Sequence, residues 1–313
     1  MTVNVIDRAG SEALIPVEIS NEIIKEVPTT SKLLQMMRKL PNMSSKQKTI
    51  PVQNALPDAY FLSGDMAQKQ TTKAEWEKLT LTAEELAVII PIPEAVLDDA
   101  GFDIWSEIKP QIVEALGIAI DGAILFGTNK PESWPTPIYT SAVAKHQTVA
   151  LGTGDDVAAD IIGVNGLMAK VENSGFIVNG FIADATFEAH LRNLRDNNNN
   201  LLYSSSLLSS TPSNLVGRPI EYDNNGIFDT TQALMICGDF SKAVYSIRQD
   251  VTYKVLSEAV IQDTEGNIVY NLAQQDMVAL RVVMRLGVQI ANPVTRRKGK
   301  NGYPFAVLTP ASS

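Results

Sequence analysis

Ile90-Pro91-Ile92-Pro93-Glu94-Ala95-Val96-Leu97-Asp98-Asp99 reads as the end of a strand running into a short polar junction, and the segment after it decides the fold. From about residue 103 to 125, Ile104, Ile108, Ile112, Ala115, Ala119 and Ala123 recur at three- or four-residue steps. Trp105, Leu116, Ile120 and Ile124 widen that stripe, which predicts one long amphipathic helix. Pro110 removes an internal hydrogen bond and is expected to bend the helix near its first turns. A bent, broadly apolar helix suits a spine on which a sheet packs.

Working backwards, residues 49–93 read as strands around a polar centre. Ile50-Pro51-Val52 and Tyr60-Phe61-Leu62 form the outgoing side, Ser63-Gly64-Asp65 supplies turn chemistry, and Lys69 to Lys73 is polar. The return starts at Trp76 and Leu79-Thr80-Leu81, and Leu86, Val88, Ile90 and Ile92 then alternate with period two. A long hairpin has no second layer to cover its apolar face. It either lies on its own domain or reaches over a neighbouring subunit. Further upstream, Ser31 is an expected N-cap for a short helix through Arg38, bracketed by Pro28 and Pro41. Leu33, Met36, Met37 and Leu40 make a small apolar stripe with too little sequence around it for its own core, so it must pack elsewhere.

Working forwards, residues 129–154 are a connection marked by Pro131, Pro135, Pro137, Gly152 and Gly154. Asp155 opens a second helix through about Glu172, and Gly175-Phe176-Ile177-Val178 and Gly180-Phe181-Ile182-Ala183 read as strands or strand edges. A short helix is expected over 185–194, a loop over the Asn- and Ser-rich run after Asn197, and strands at Ile220-Glu221-Tyr222 and 233–237. A helix over 241–245 and strands over 252–257, 268–272 and 278–290 complete a β-rich tail.

The 313 residues are 45% hydrophobic and 19% charged, which provides roughly two domain-sized cores and argues against wholesale disorder. The single Cys237 excludes an internal disulfide and fits a reducing compartment; with only His146 and His190 beside it, no zinc site of Cys and His is expected. No apolar run approaches the ~20 residues that span a bilayer, and residues 1–7 lack a secretory layout, so a soluble intracellular product without a membrane partner is expected. The net charge of −9 argues against binding nucleic acid over the whole surface. Basic residues nevertheless cluster at Lys25, Lys32, Arg38, Lys39, Lys46 and Lys48, and again at Arg281, Arg285, Arg296, Arg297, Lys298 and Lys300. Such clusters either pair with nearby acids or present a mildly basic patch to an acidic chain, a scaffold or DNA.

Catalytic motifs are missing. Gly152-Thr153-Gly154 lacks the third glycine of a dinucleotide loop, and Lys298-Gly299-Lys300-Asn301 lacks the glycine spacing and hydroxyl of a P-loop. Asp263-Thr264-Glu265-Gly266-Asn267 is expected to be a β-turn rather than a calcium loop. Asp98-Asp99 and Asp155-Asp156 are expected at helix ends as caps, His190 on a short helix at or near the surface, and Cys237 as a buried small hydrophobe. The expectation is a non-enzymatic protein with no catalytic, cofactor-binding or metal residues.

Ile92-Pro93-Glu94-Ala95-Val96-Leu97-Asp98-Asp99 resembles the strand-Pro-Glu-x-x-Leu-Asp-Asp lead into the spine helix of tailed-bacteriophage major capsid proteins of the Hong Kong 97-type fold. Gly217-Arg218-Pro219 resembles that family's Gly-x-Pro turn, and Gly238-Asp239-Phe240 its Gly-Asp-Phe. Val278-Ala279-Leu280-Arg281 with Arg285-Leu286-Gly287, and Phe305-Ala306-Val307-Leu308, resemble its C-terminal strands. The resemblance implies an α+β fold with an N-terminal arm over 1–48 and an extended β-hairpin loop over 49–90. It implies a peripheral domain with the spine helix over 91–137 and 250–290, and an axial domain over 138–249 and 291–313. Gly217 and Pro219 would set a tight turn, and Asp239 would cap a helix anchored by Phe240.

The implied function is a shell of hexamers and pentamers around double-stranded DNA held without sequence-specific binding, in the virion, after assembly in the host cytoplasm. The implied partners are a portal and, because the arm starts at Met1 with no long helical segment before it, a separate scaffolding protein. Leu33, Met36, Met37, Tyr60, Phe61, Leu62, Trp76, Lys69 and Lys73 are the candidate intersubunit contacts. Some members cross-link a loop lysine to an asparagine; Lys69, Lys73 and Lys78 lie in that region, but no matching asparagine and glutamate are found. The alternative is an encapsulin-like nanocompartment, a shell of the same fold around a cargo enzyme.

Overall fold

The computed structural model describes residues 31–61, 68–69, 71–99, 104–194 and 214–311. Leu62, Lys25, the Ser63-Gly64-Asp65 turn and the Asn- and Ser-rich run lie outside the described residues. Two sheets carry the architecture. A five-stranded sheet has the order β1-β9-β12-β3-β2, and a six-stranded sheet the order β4-β13-β8-β5-β7-β6.

In the first sheet, β3 (Glu75–Pro93), β9 (Ala243–Leu256) and β12 (Met277–Ile290) are long antiparallel neighbours, and β1 is Arg38–Lys39. β3 has two partners along its length. Residues Glu75 to Thr82 pair with β2 (Gln47–Ala55), whereas Ala83 to Pro93 pair with β12. The hairpin proper is therefore 47–82, shorter than the expected 49–90, because the return strand becomes part of the sheet from Ala83 onward. Tyr60 and Phe61 are not in a strand, so the outgoing side ends at Ala55. β9 runs without a break through position 250, so one strand crosses the expected peripheral–axial boundary.

The helix α3 (Ile104–Leu125) packs on this sheet, after a short α2 (Glu94–Asp99). Its buried face is turned relative to the expected stripe. Ile112, Val113, Leu116, Ile120 and Ile124 are buried with Val282, Met284, Leu286 and Val288 in one core, while Ala115 and Ala119 are exposed. Asp98 and Asp99 sit at the C-terminal end of α2, where a carboxylate opposes the helix dipole, so they do not cap it.

The second sheet joins β4 (Thr148–Ala150), β5 (Gly180–Asp184), β6 (Asn214–Leu215), β7 (Arg218–Asp223), β8 (Met235–Gly238) and β13 (Phe305–Thr309). It buries a second core with α5 (Val157–Ile162), α6 (Leu167–Asn173) and α7 (Glu188–Arg192); α4 (Ile138–Ala144) precedes β4. The expected single helix from Asp155 is broken in two. A Cβ on Gly163 would lie 2.4 Å from the Ala159 carbonyl oxygen, and one on Gly166 2.8 Å from the same atom, so this tight turn is built on glycine. Asp156 caps α5 by accepting from the Ala159 N–H. Residues 175–178 are not in a strand, and the expected helix at 241–245 is a 3₁₀ turn, Phe240–Lys242, followed by β9. β10 (Val260–Gln262) and β11 (Ile268–Asn271) form a small hairpin closed by Asp263, whose carboxylate accepts from the Glu265 and Asn267 N–H groups.

The described part of the arm is held at home. α1 is Lys32–Met36, and Leu33, Leu34 and Met37 are buried against the spine and sheet core of the same chain. Beyond it the Leu40 and Met43 N–H groups donate to the Tyr245 and Ile247 carbonyls, so the chain lies along the β9 edge. Asp121 of the spine helix fixes this arrangement from inside. It is buried, and its carboxylate accepts from the Ser31 hydroxyl and the Leu33 N–H, while Ser31 itself accepts from the Leu34 N–H as N-cap. Burial pushes its pKa up from 3.8 to about 7, with the nearby Asp223 adding to the rise and the Ser31 and Leu33 hydrogen bonds opposing it.

Two outcomes follow from this packing. The folded chain holds the Asp121 proton between about pH 4 and 7, where the unfolded chain has released it. The stability it contributes is complete below about pH 4 and lost as pH rises through about 7, on the order of 4 kcal/mol at full shift. Denaturant titrations of Asp121→Asn should show that this part of the pH dependence has flattened; an unchanged slope would refute the assignment. The second concerns the β6–β7 turn, where Val216 and Gly217 both have positive φ, 54° and 72°, as a two-residue type I′ turn requires. A β-branched residue is strained there, so Val216→Asn should raise stability by about 1 kcal/mol in thermal unfolding.

Candidate functional site

The positions singled out from the sequence divide into a junction inside the molecule and a surface outside it. At the junction, β8 ends at Gly238 and β9 begins at Ala243, so the Gly238-Asp239-Phe240 segment carries the chain from one sheet to the other. A Cβ on Gly238 would lie 2.4 Å from both the Phe305 ring and the Pro304 carbonyl oxygen. Phe240 is buried and meets Phe305 edge-on, ring centroids 5.2 Å apart. Asp239 accepts from the Ser241 N–H at 3.2 Å and its own N–H donates to Pro304. Asn179, which the sequence did not single out, closes the turn. Its amide donates to Asp239 at 3.2 Å and its carbonyl accepts from the Phe240 N–H at 2.9 Å. A lone asparagine in a loop has no spacing signal that marks it.

The other motif positions are also structural. Pro93 is the last residue of β3, opposite Met277, and the Glu94 N–H donates to the Asp276 carbonyl. Leu97 is half-buried and Asp98 exposed. Pro219 lies in β7 opposite Asn214. Cys237 is buried, with burial driving its thiol pKa upward, and its Sγ donates weakly to the Leu167 carbonyl. His190 is exposed and stacks on Phe187. Among the described residues no three His, Cys, Asp or Glu side chains gather as a metal site. No helix of the described residues is long and apolar enough to cross a membrane.

The outer surface is dominated by the hairpin. Phe61 is fully exposed and Trp76 is 64% exposed, with Tyr60 beside them. Lys69 and Lys73 are also exposed. Leu33 and Met37, expected as intersubunit contacts, are instead buried within their own chain, and Met36 is half-buried against the same core. The β10–β11 hairpin adds a second apolar patch, with Val260, Ile268, Val269 and Tyr270 exposed. Much of the C-terminal basic cluster turns to the first hairpin. Arg296 meets Asp58 at 2.8 Å and Lys300 meets Glu77 at 3.5 Å, while Arg285 bonds Glu85 through Nε at 2.9 Å across the β12–β3 ladder below the hairpin. In the arm cluster, Lys32 meets Glu221 at 3.4 Å.

Among the described residues this arrangement offers packing surfaces, and the comparisons with known proteins point the same way. Residues 12–298 match the family described as the Phage capsid family. The chain is 28% identical over 314 residues to the major capsid protein of Staphylococcus phage 80alpha, covering 98% of this chain and 88% of that one. A solved structure from Microbacterium phage Oxtober96 superposes with a TM-score of 0.76 at 35% identity, covering 98% of this chain and 99% of the other. One from Mycobacterium phage Bobi gives 0.77 at 31% identity, covering 99% and 100%. The strand-to-spine lead, the sheet junction and these matches along nearly the whole chain place the protein in the phage capsid family, as a structural major capsid protein.

Proposed function

We propose that the chain closes into an icosahedral head shell of hexamers and pentamers around double-stranded DNA, with the 47–82 hairpin lying over a neighbouring subunit. The observation that carries this is the exposed apolar surface of the hairpin, above all Phe61 and Trp76. A ribbon of this length with uncovered aromatics is an aggregation liability unless symmetry-related copies cover it. Obligate interfaces of this kind commonly exceed about 2,000 Å². The expected domain roles belong to this proposal: a peripheral part around α3 and the five-stranded sheet, an axial part around the six-stranded sheet, and an arm whose described part is anchored by Asp121. A separate scaffold, a portal, virion localisation and assembly in the host cytoplasm belong to the same proposal. Lys69 and Lys73 are exposed hairpin-loop positions proposed as contacts to a neighbouring subunit. A nanocompartment around a cargo enzyme is not favoured, since the named relatives are capsid proteins of phages.

Negative-stain electron microscopy and sedimentation of the purified chain, with and without scaffold, test this reading. Closed shells, rings or tubes are expected. A uniform monomer under every condition would sink it, and shells filled with a protein cargo instead of DNA would return the nanocompartment. Phe61→Ala/Trp76→Ala should cut shell yield roughly tenfold, as aromatic hot spots do, while the melting of the unassembled subunit shifts by no more than about 0.5 kcal/mol.

A further inference from the structure

Lys298 belongs to the C-terminal basic cluster but does not join the hairpin's acids. It lies with Lys145, His146 and Lys170 around a separate cleft of about 560 Å³, together with the amides of Asn165 and Asn301. Among the described residues no aspartate or glutamate lines this cleft, in a chain whose net charge is −9. Lys145, Lys170 and Lys298 make no ion pair among the described residues, unlike Arg285, Arg296 and Lys300.

The walls are clamped from behind. The buried Gln147 donates through Nε2 to the Ser174 hydroxyl at 2.6 Å, Ser174 donates to the Lys170 carbonyl at 3.2 Å, and the Thr295 hydroxyl donates to the Ser174 carbonyl at 2.7 Å. Thr295 in turn is bridged to Gly299, which fixes the loop carrying Lys298 and Asn301. Three separate segments are thus held in register. His146 occupies the left-handed residue of a Schellman turn that ends α4, with φ 56°, its N–H on Val143 and the Gln147 N–H on Ala142. Glycine is the favoured residue there. Lys145 and Lys170 sit at the C-terminal ends of α4 and α6, so part of their charge answers the helix dipoles. Two half-charges do not neutralise three lysines, and the surplus faces open space.

We propose that this cleft is a phosphate-binding pocket. Lys145, Lys170 and Lys298 supply the charge, and His146 and the asparagine amides supply further hydrogen bonds. A cleft of this volume admits a phosphate with its attached sugar as readily as a free ion. That the phosphates belong to packaged DNA rests on the shell reading; the pocket itself does not.

The test uses the full chain and its Lys145→Gln/Lys170→Gln/Lys298→Gln variant. Inorganic phosphate is titrated by calorimetry, a short labelled duplex by anisotropy across a salt series, and both chains are imaged for shells. The parent should bind phosphate and the variant roughly tenfold more weakly or worse. If the duplex binds, the slope of log K against log salt should fall by about 3 in the variant. Duplex bound and displaced by phosphate assigns the pocket to the DNA backbone; phosphate bound without duplex assigns it to the free ion. Equal phosphate binding by parent and variant, or none by either, overturns the proposal. So does displacement of phosphate by a glutamate-rich peptide but not by the duplex. Lys298→Glu, on an exposed loop, gives the same reading if the triple variant fails to fold. Failure of both chains to form shells, with phosphate binding intact in the parent, would sink the shell reading and leave the pocket standing.

Discussion

The absence of a Cβ at Gly238 is the constraint on which the two-sheet architecture depends. Strand β8 of the six-stranded sheet ends there and strand β9 of the five-stranded sheet starts five residues later, with the chain entering β13 packed so close that any side chain would strike Phe305 or Pro304. That closeness lets Phe240 turn into the spine core and meet Phe305 edge-on, so one aromatic pair is common to both sheets. The 3₁₀ turn and the Asp239–Asn179 bonds then satisfy the backbone groups that a change of sheet would otherwise leave unpaired.

A second constraint works from the other side of the same core. Asp121 is a carboxyl group on the buried face of the spine helix, where an unpartnered one would be costly. Its partners are the cap and first turn of the arm helix, so the arm and the spine each solve a polar problem for the other. The apolar residues Leu33, Leu34 and Met37 supply the burial, and the carboxyl supplies the register.

The elements legible in the sequence were those written in local periodicity. The spine helix, the alternation of Leu86, Val88, Ile90 and Ile92, and the motif order are all properties of neighbouring residues. What the sequence hid depends on residues far away. Ala115 and Ala119 read as part of the apolar stripe because alanine fits either face, and only the partner sheet decides which. Residues 243–245 read as helix, but their hydrogen bonds go to β12. Asp121 and Asn179 carry no spacing signal, since each acts across a contact with a distant segment. The arm stripe reads as an intersubunit contact because the cover it needs comes from residues far along the same chain.

The hairpin combines a stiff root with a soft flank. Its return strand is continuous with β3 in the five-stranded sheet, so its base is fixed by backbone hydrogen bonds on residues Ala83 to Pro93. Its side is tied to the 294–300 segment by a backbone bond from Val294 to Gln53, by Arg296 donating to the Pro57 carbonyl, and by the Arg296–Asp58 and Lys300–Glu77 pairs. Both ion pairs are exposed, and such pairs contribute about 0–1 kcal/mol and weaken with salt. Swinging the free end therefore costs little compared with unpairing the root. In the proposed shell of hexamers and pentamers a subunit would need this division, since the ladder keeps the strand's direction while the flank adjusts its angle. On that proposal, the weakness of those surface charges would be part of how one chain serves more than one position in the shell.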